Sequence, residues 1–294
     1  MLYGELEFMP ADVRLSFRKS DKQYTVQDLL KIVNWTSYQM KHDVKSKHNS
    51  KYRQSSQPIH LLTQWYHEDN IHRRQELVSV LHINLINQAI SKIYFLQPKN
   101  KKTTIWEDVQ IDTQFPFDAL RKKGIVHYLN ESKTDRLTIS EALLYSNHLV
   151  KNGYAVIINL DIFFDPSLFL LSKMHVVDKK TAYYLSRYEV DPYISIFGSQ
   201  CSDEAYLGSH DALLIIPPIP ISVIEQVPFE LGTWHAEMKI IFALLKDNYT
   251  VRNVCKSVRI WHLHSTQVRH RLMPSEKYMP EKILPIVLKK PSFL

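Results

Sequence analysis

The sequence predicts one large α/β domain whose mostly parallel sheet is flanked by helices. Three observations carry that expectation. From residue 59 onward, short apolar runs alternate with helix-period patterns, the signature of strand–helix–strand units. The run at 154–160, YAVIINL, is almost continuously apolar, as a strand covered on both faces must be. A chain of 294 residues with 45% hydrophobic content can also bury a substantial single core.

The elements follow in order. Residues 26–40 carry Leu29, Leu30, Ile32, Val33 and Trp35 at the spacing of a short amphipathic helix. Thr25 is placed to cap it, with Asp28 three positions on. Residues 41–57 are polar apart from Val44 and Tyr52 and read as a linker. Residues 1–57 therefore form an accessory segment ahead of a main body at 58–270. In that body a strand at 59–66 leads into a helix at 71–89, with Leu77, Val80, Leu81, Leu85 and Ile86 on one side. Strands at 92–96 and 125–129 follow, then a helix at 140–150 with Thr138 as its cap, then the buried strand at 154–160. Further strands fall at 181–187 and 212–216, a helix at 236–246, and one or two closing strands within 250–263. Residues 271–294, with four prolines, form an extended tail.

Composition excludes several classes. Only six glycines occur, at 4, 124, 153, 198, 208 and 232, and no two lie within five residues. A dinucleotide fingerprint, a phosphate-cradling Gly-rich loop and a nucleophile elbow each need closely spaced glycines, so all three are ruled out. No apolar run reaches the ~18 residues of a membrane span, and the first twenty residues lack a secretory pattern. Cys201 and Cys255 give neither a disulfide framework nor a zinc spacing, which points to a reducing, cytoplasmic setting. The net charge of +7 suits a phosphate-bearing ligand, an acidic surface or nucleic acid, although the cations are dispersed outside clusters at 41–53, 99–102 and 121–123.

The stretch from Asn159 to Asp165, NLDIFFD, directly follows the buried strand. Ligands of open α/β sheets bind beyond the carboxyl ends of strands, so a carboxylate there points into the crevice. Residues 159 and 161 share one face of an extended chain, aiming an amide and a carboxylate at one ligand. A divalent cation holding a diphosphate needs one or two such oxygen ligands. Asp165, ahead of Pro166 and Ser167, reads instead as a helix cap.

NLDIFFD resembles the N-x-D-I-x-F-D segment of GT-A-type glycosyltransferases, with Asn in place of the first Asp of their DxD motif. Other matches keep the family's order. Gln64-Trp65-Tyr66, Arg73/Arg74, Glu76 and Asn84 resemble its opening strand and helix. Residues 90–96 resemble its second strand, and Arg136-Leu137-Thr138 with Glu141 its R-x-T-x-x-E turn. Leu185-Ser186-Arg187-Tyr188, Ser209-His210-Asp211 and the His262-Leu263-His264 segment complete the series. The resemblance covers roughly residues 59–270 and implies a GT-A-like mixed sheet. It also implies metal-dependent transfer of a sugar from a nucleotide-sugar donor to a glycan or other hydroxyl acceptor. Asp161 and His264 would hold Mn²⁺ or Mg²⁺, with Tyr66, Arg136, Asn159 and Arg187 on the donor. His262 and His264 lie two apart on a strand and share a side; the resemblance favours His264. Glu237, in a helix first turn whose dipole keeps it ionised, is the candidate base, and Asp211 is the other. Here Trp234-His235-Ala236-Glu237 replaces the family's Pro-Gly-Cys-Asp, so the acid reaches one methylene farther. The alternatives are a sugar nucleotidyltransferase, disfavoured by the missing Gly-rich loop, a nucleic-acid binder using the 41–53 segment, and an inactive sugar-binding relative.

Overall fold

A computed structural model describes residues 23–33, 57–99, 101–130, 134–172, 179–190, 201, 210–233 and 236–265. The expectations for 34–56, for Ser209, for Trp234 and His235, and for the tail fall outside the described residues.

Among the described residues nine strands form one mixed sheet: β1 Ile59–Thr63, β2 Ile90–Pro98, β3 Gly124–Leu129, β4 Tyr154–Ile158, β5 Ile162–Phe164, β6 Thr181–Glu189, β7 His210–Ile215, β8 Thr250–Arg252 and β9 Ile260–His262. Their order is β3-β2-β1-β4-β7-β6-β9-β5, with β8 also paired to β6. From β3 to β4 the pairings are parallel, and β7 then runs antiparallel to both β4 and β6. Successive residues of β1 and β4 face opposite layers, as a period of two requires. Leu61 and Val156 pack with Leu77, Leu81 and Leu85 of α2 (Ile71–Ile86). Leu62 and Ile157 pack with Leu143 of α5 (Ile139–Leu149) and Ile240 of α8 (Ala236–Lys246). Both sheet faces are thus covered, which explains the continuous apolar run.

The caps behave as expected. Thr25 and Asp28 form a capping box on α1 (Val26–Ile32), and Thr138 with Glu141 forms one on α5. Asp165 accepts a hydrogen bond from the Ser167 amide (2.8 Å) with Pro166 in the first position, and Arg259 pairs with it. Helix α1 lies against the body: Leu29 and Val33 are buried with Val80, Ile83, Phe163 and Leu263.

Four expectations are corrected. The 154–160 strand stops at Ile158, because the chain turns (Ile162 N–H to Asn159 carbonyl, 3.3 Å) so that β5 can pair with β9. Asn159 and Asp161 are therefore not on one extended face. Helix α2 ends at Ile86, where the Asn87 side chain donates to the Phe164 and Asp165 carbonyls rather than continuing the turn. The 121–123 cations form the last turn of a short unanticipated helix, α4 (Phe117–Lys123), where they complement its dipole. Cys201 and Cys255 are joined in a disulfide across 54 residues, against the expectation that they give no disulfide framework. Among the described residues no helix is long and apolar enough to cross a membrane.

Candidate active site

The turn after β4 places Asp161 beside the sheet's change from parallel to antiparallel pairing. Its Oδ2 accepts from Arg73 Nη2 at 2.6 Å and lies 3.2 Å from His262 Nε2 and 3.7 Å from His264 Nδ1. Among the described residues Oδ1 takes no hydrogen bond. One ligand atom from each of Asp161, His262 and His264 lies within 4.8 Å of the others. The structure thus brings together the expected pair, Asp161 and His264, and adds His262.

Two networks hold this cluster. On one side His262 Nδ1 lies 2.7 Å from Glu189 Oε2. The other oxygen of Glu189 accepts from Arg187 Nε (2.7 Å), whose Nη1 donates to Asp211 (3.0 Å). Arg187 and Glu189 meet because residues i and i+2 of β6 share a face. A continuous polar chain therefore runs from Asp161 to Asp211. On the other side Arg73, in the first turn of α2, donates from Nη1 to Glu76 and to the Leu263 carbonyl, both at 2.7 Å. Glu76 in turn accepts from the Ser265 amide (2.9 Å) and from the Ser265 hydroxyl. Farther along α2, the Asn84 side chain brackets β5 through the Ile162 carbonyl and the Phe164 amide.

The charges are unbalanced. Four carboxylates (Glu76, Asp161, Glu189, Asp211) face two guanidiniums (Arg73, Arg187). Burial works against the Asp161 carboxylate, yet His262, His264 and Arg73 hold it well below the usual range. Glu189 is likewise opposed by burial but held down at about 2 by His262 and Arg187. His262 is lowered by burial and by Arg187, but Asp161 and Glu189 outweigh both and raise it. Burial lowers His264, whose Nε2 is buried without a hydrogen-bond partner among the described residues. Two histidine nitrogens and a carboxylate oxygen form a donor set of the kind that holds a divalent ion. The orphaned nitrogen and the surplus negative charge fit such an ion as well.

A narrow crevice beside the cluster is lined by Asn159, His210, Asp211, Gly232, Ala236 and Glu237. Gly232 has φ +79°, and a Cβ there would stand 3.2 Å from Asn159 Oδ1, so glycine permits this approach. Burial, then the Asp211 charge, push the Glu237 carboxyl up to about 8. The expectation of an ionised Glu237 is corrected: at neutral pH it holds its proton despite its helix N-terminal position. Tyr66 and Arg136 lie together at the edge of the cluster. Burial and the Asp161 charge raise the Tyr66 hydroxyl, while Arg73 and Arg136 oppose them. Gln64 fixes the Arg136 segment, accepting from the Leu137 amide (2.8 Å) and donating to the Asp135 carbonyl (3.0 Å). Arg136 makes no ion pair among the described residues. The Arg187 guanidinium is engaged by Glu189 and Asp211.

No protein family model and no curated protein sequence matches the chain. Solved structures similar to it include the following two. Inositol-1-phosphate CTP transferase from T. maritima has 12% identity and a TM-score of 0.40, covering 72% of this chain and 91% of that one. 4-Diphosphocytidyl-2C-methyl-D-erythritol synthase from Anaerococcus prevotii has 14% identity, a TM-score of 0.40 and the same coverage. At these values nothing about substrate follows from them.

Proposed function

We propose that this chain is a metal-assisted glycosyltransferase that moves a sugar from a nucleotide diphosphate donor onto an acceptor hydroxyl. The observation that carries the reading is the partly buried Asp161–His262–His264 cluster, with surplus negative charge and an imidazole nitrogen that has no hydrogen-bond partner among the described residues, beside a crevice holding Asp211 and Glu237. Asp161, His262 and His264 would hold the divalent ion, which supplies charge stabilisation for the departing diphosphate. Arg136 and Tyr66 border the donor, and Asn159 faces both donor and crevice. Glu237 takes the acceptor proton as the acceptor oxygen bonds to the sugar carbon and the carbon–diphosphate bond breaks. A carboxylate with a pKa near 8 is a strong base once ionised, which suits this task. Asp211, fixed by Arg187, keeps that pKa high. Calorimetry of a nucleoside diphosphate with and without Mn²⁺ tests the reading. Binding is expected to require the ion in the wild type and to lose that dependence in Asp161→Ala. Equal affinity with and without metal in the wild type refutes it.

A further inference from the structure

The cluster's two least secured parts are Asp161, which sits in a turn, and His264, which lies beyond the end of β9. Both are reached from one place, the first turns of α2. Arg73 spends one guanidinium nitrogen on Asp161 Oδ2 and another on Glu76 and the Leu263 carbonyl. Glu76 spends one oxygen on Arg73 and the other on the backbone and side chain of Ser265. The residues on either side of His264 are therefore gripped by an ion pair that is itself buried: Arg73, Glu76 and Ser265 are 3%, 4% and 3% exposed. A buried pair of this kind is poor value for stability alone, since desolvating two charges offsets most of their attraction.

We propose that Arg73 and Glu76 are positioning residues for the cation site, and this rests on the metal reading above. Arg73 pins Oδ2 of Asp161, the oxygen beside both histidines; Glu76, through Ser265, sets where the His264 ring stands. Neither residue needs to touch the ion. The test is Mn²⁺ titration of the full chain followed by electron paramagnetic resonance, with near-ultraviolet circular dichroism reporting the fold. Glu76→Gln keeps the size and an acceptor oxygen but breaks the ion pair, and is expected to weaken Mn²⁺ binding about 10–100-fold, the usual effect of disturbing the support behind a metal ligand. Ser265→Ala deletes only one hydroxyl and is expected to weaken Mn²⁺ by a smaller factor while the fold signal stays constant. It serves as the arbiter where Glu76→Gln fails to fold. Wild-type Mn²⁺ affinity in a folded Glu76→Gln or in Ser265→Ala, with only the melting temperature lowered, makes the pair merely structural and overturns the proposal. A wild type that binds no Mn²⁺ overturns it too, and marks the metal reading itself as the failure.

Discussion

Replacing Glu237 by Gln should leave the protein more stable than the wild type at alkaline pH and equal to it in mild acid. In the fold the carboxyl holds its proton up to about 8, against 4.5 for the ordinary group. Between those values the unfolded chain has lost a proton that the native state keeps. Folding there takes up a proton, so wild-type stability falls as pH rises across this window. A span of about 3.5 units at ~1.36 kcal/mol each sets a ceiling near 5 kcal/mol. The side chain is only half-buried, and water reduces this to roughly 2–3 kcal/mol. Gln has the same size and no titration. Urea unfolding at pH 5, 6.5 and 8 should give midpoints that coincide at pH 5 and diverge in favour of the variant by pH 8, with unchanged slopes. Wild-type transfer should rise with pH toward 8, and the Gln variant should lose about 10²–10⁴-fold. A stability difference that is constant across pH would refute the argument, because Glu237 would then titrate alike in both states.

Glu189 carries the opposite sign. Held at about 2 by His262 and Arg187, it contributes stability that is present above pH 4.5 and lost as pH falls toward 2. Glu189→Gln should lower the urea midpoint at pH 7 and flatten the loss between pH 4.5 and 2; an acid profile identical to the wild type contradicts the pairing. A chain starting at Gln57 should keep nucleoside diphosphate affinity, since among the described residues no site group lies before it. It should lose about 3–5 kcal/mol of stability with the burial of Leu29 and Val33. A truncated protein that is folded by circular dichroism but no longer binds the nucleotide would place α1 in the site.

The elements legible in the sequence are those whose signal is local. The 154–158 run, the α8 stripe of Ile240, Ile241 and Leu244, and the boxes at Thr25 and Thr138 need no distant partner to be recognised. Strand β5 is only three residues long and exists because β9, a hundred residues away, pairs with it. Leu160, apolar but turning, therefore looked like more strand. In the site, Asp161 stood out by following the most buried strand. Arg73 and Glu76 entered only through the family resemblance, since an i, i+3 ion pair on a helix usually lies in solvent and is worth little. Glu237 was misjudged on magnitude: a helix dipole contributes ~0.3–1 kcal/mol, whereas burial beside a like charge outweighs it several-fold. Two lone cysteines have no spacing motif, so their union appears only in three dimensions.

The contacts around Asp161 span almost the whole body of the chain: Arg73 to Leu263 is 190 residues, Glu76 to Ser265 is 189, and Asp161 to His262 is 101. During synthesis, a nascent chain that has released residues up to 250 already holds the four parallel strands β3-β2-β1-β4 and the β7 and β6 partners, yet has no second or third ligand. Closing such long loops costs entropy before any contact repays it, so the Asp161–His262–His264 cluster is among the last features to assemble. On the metal reading proposed above, competence to capture a cation would be deferred until the polypeptide is nearly finished, and an abortive fragment with most of the sheet in place would carry none of it.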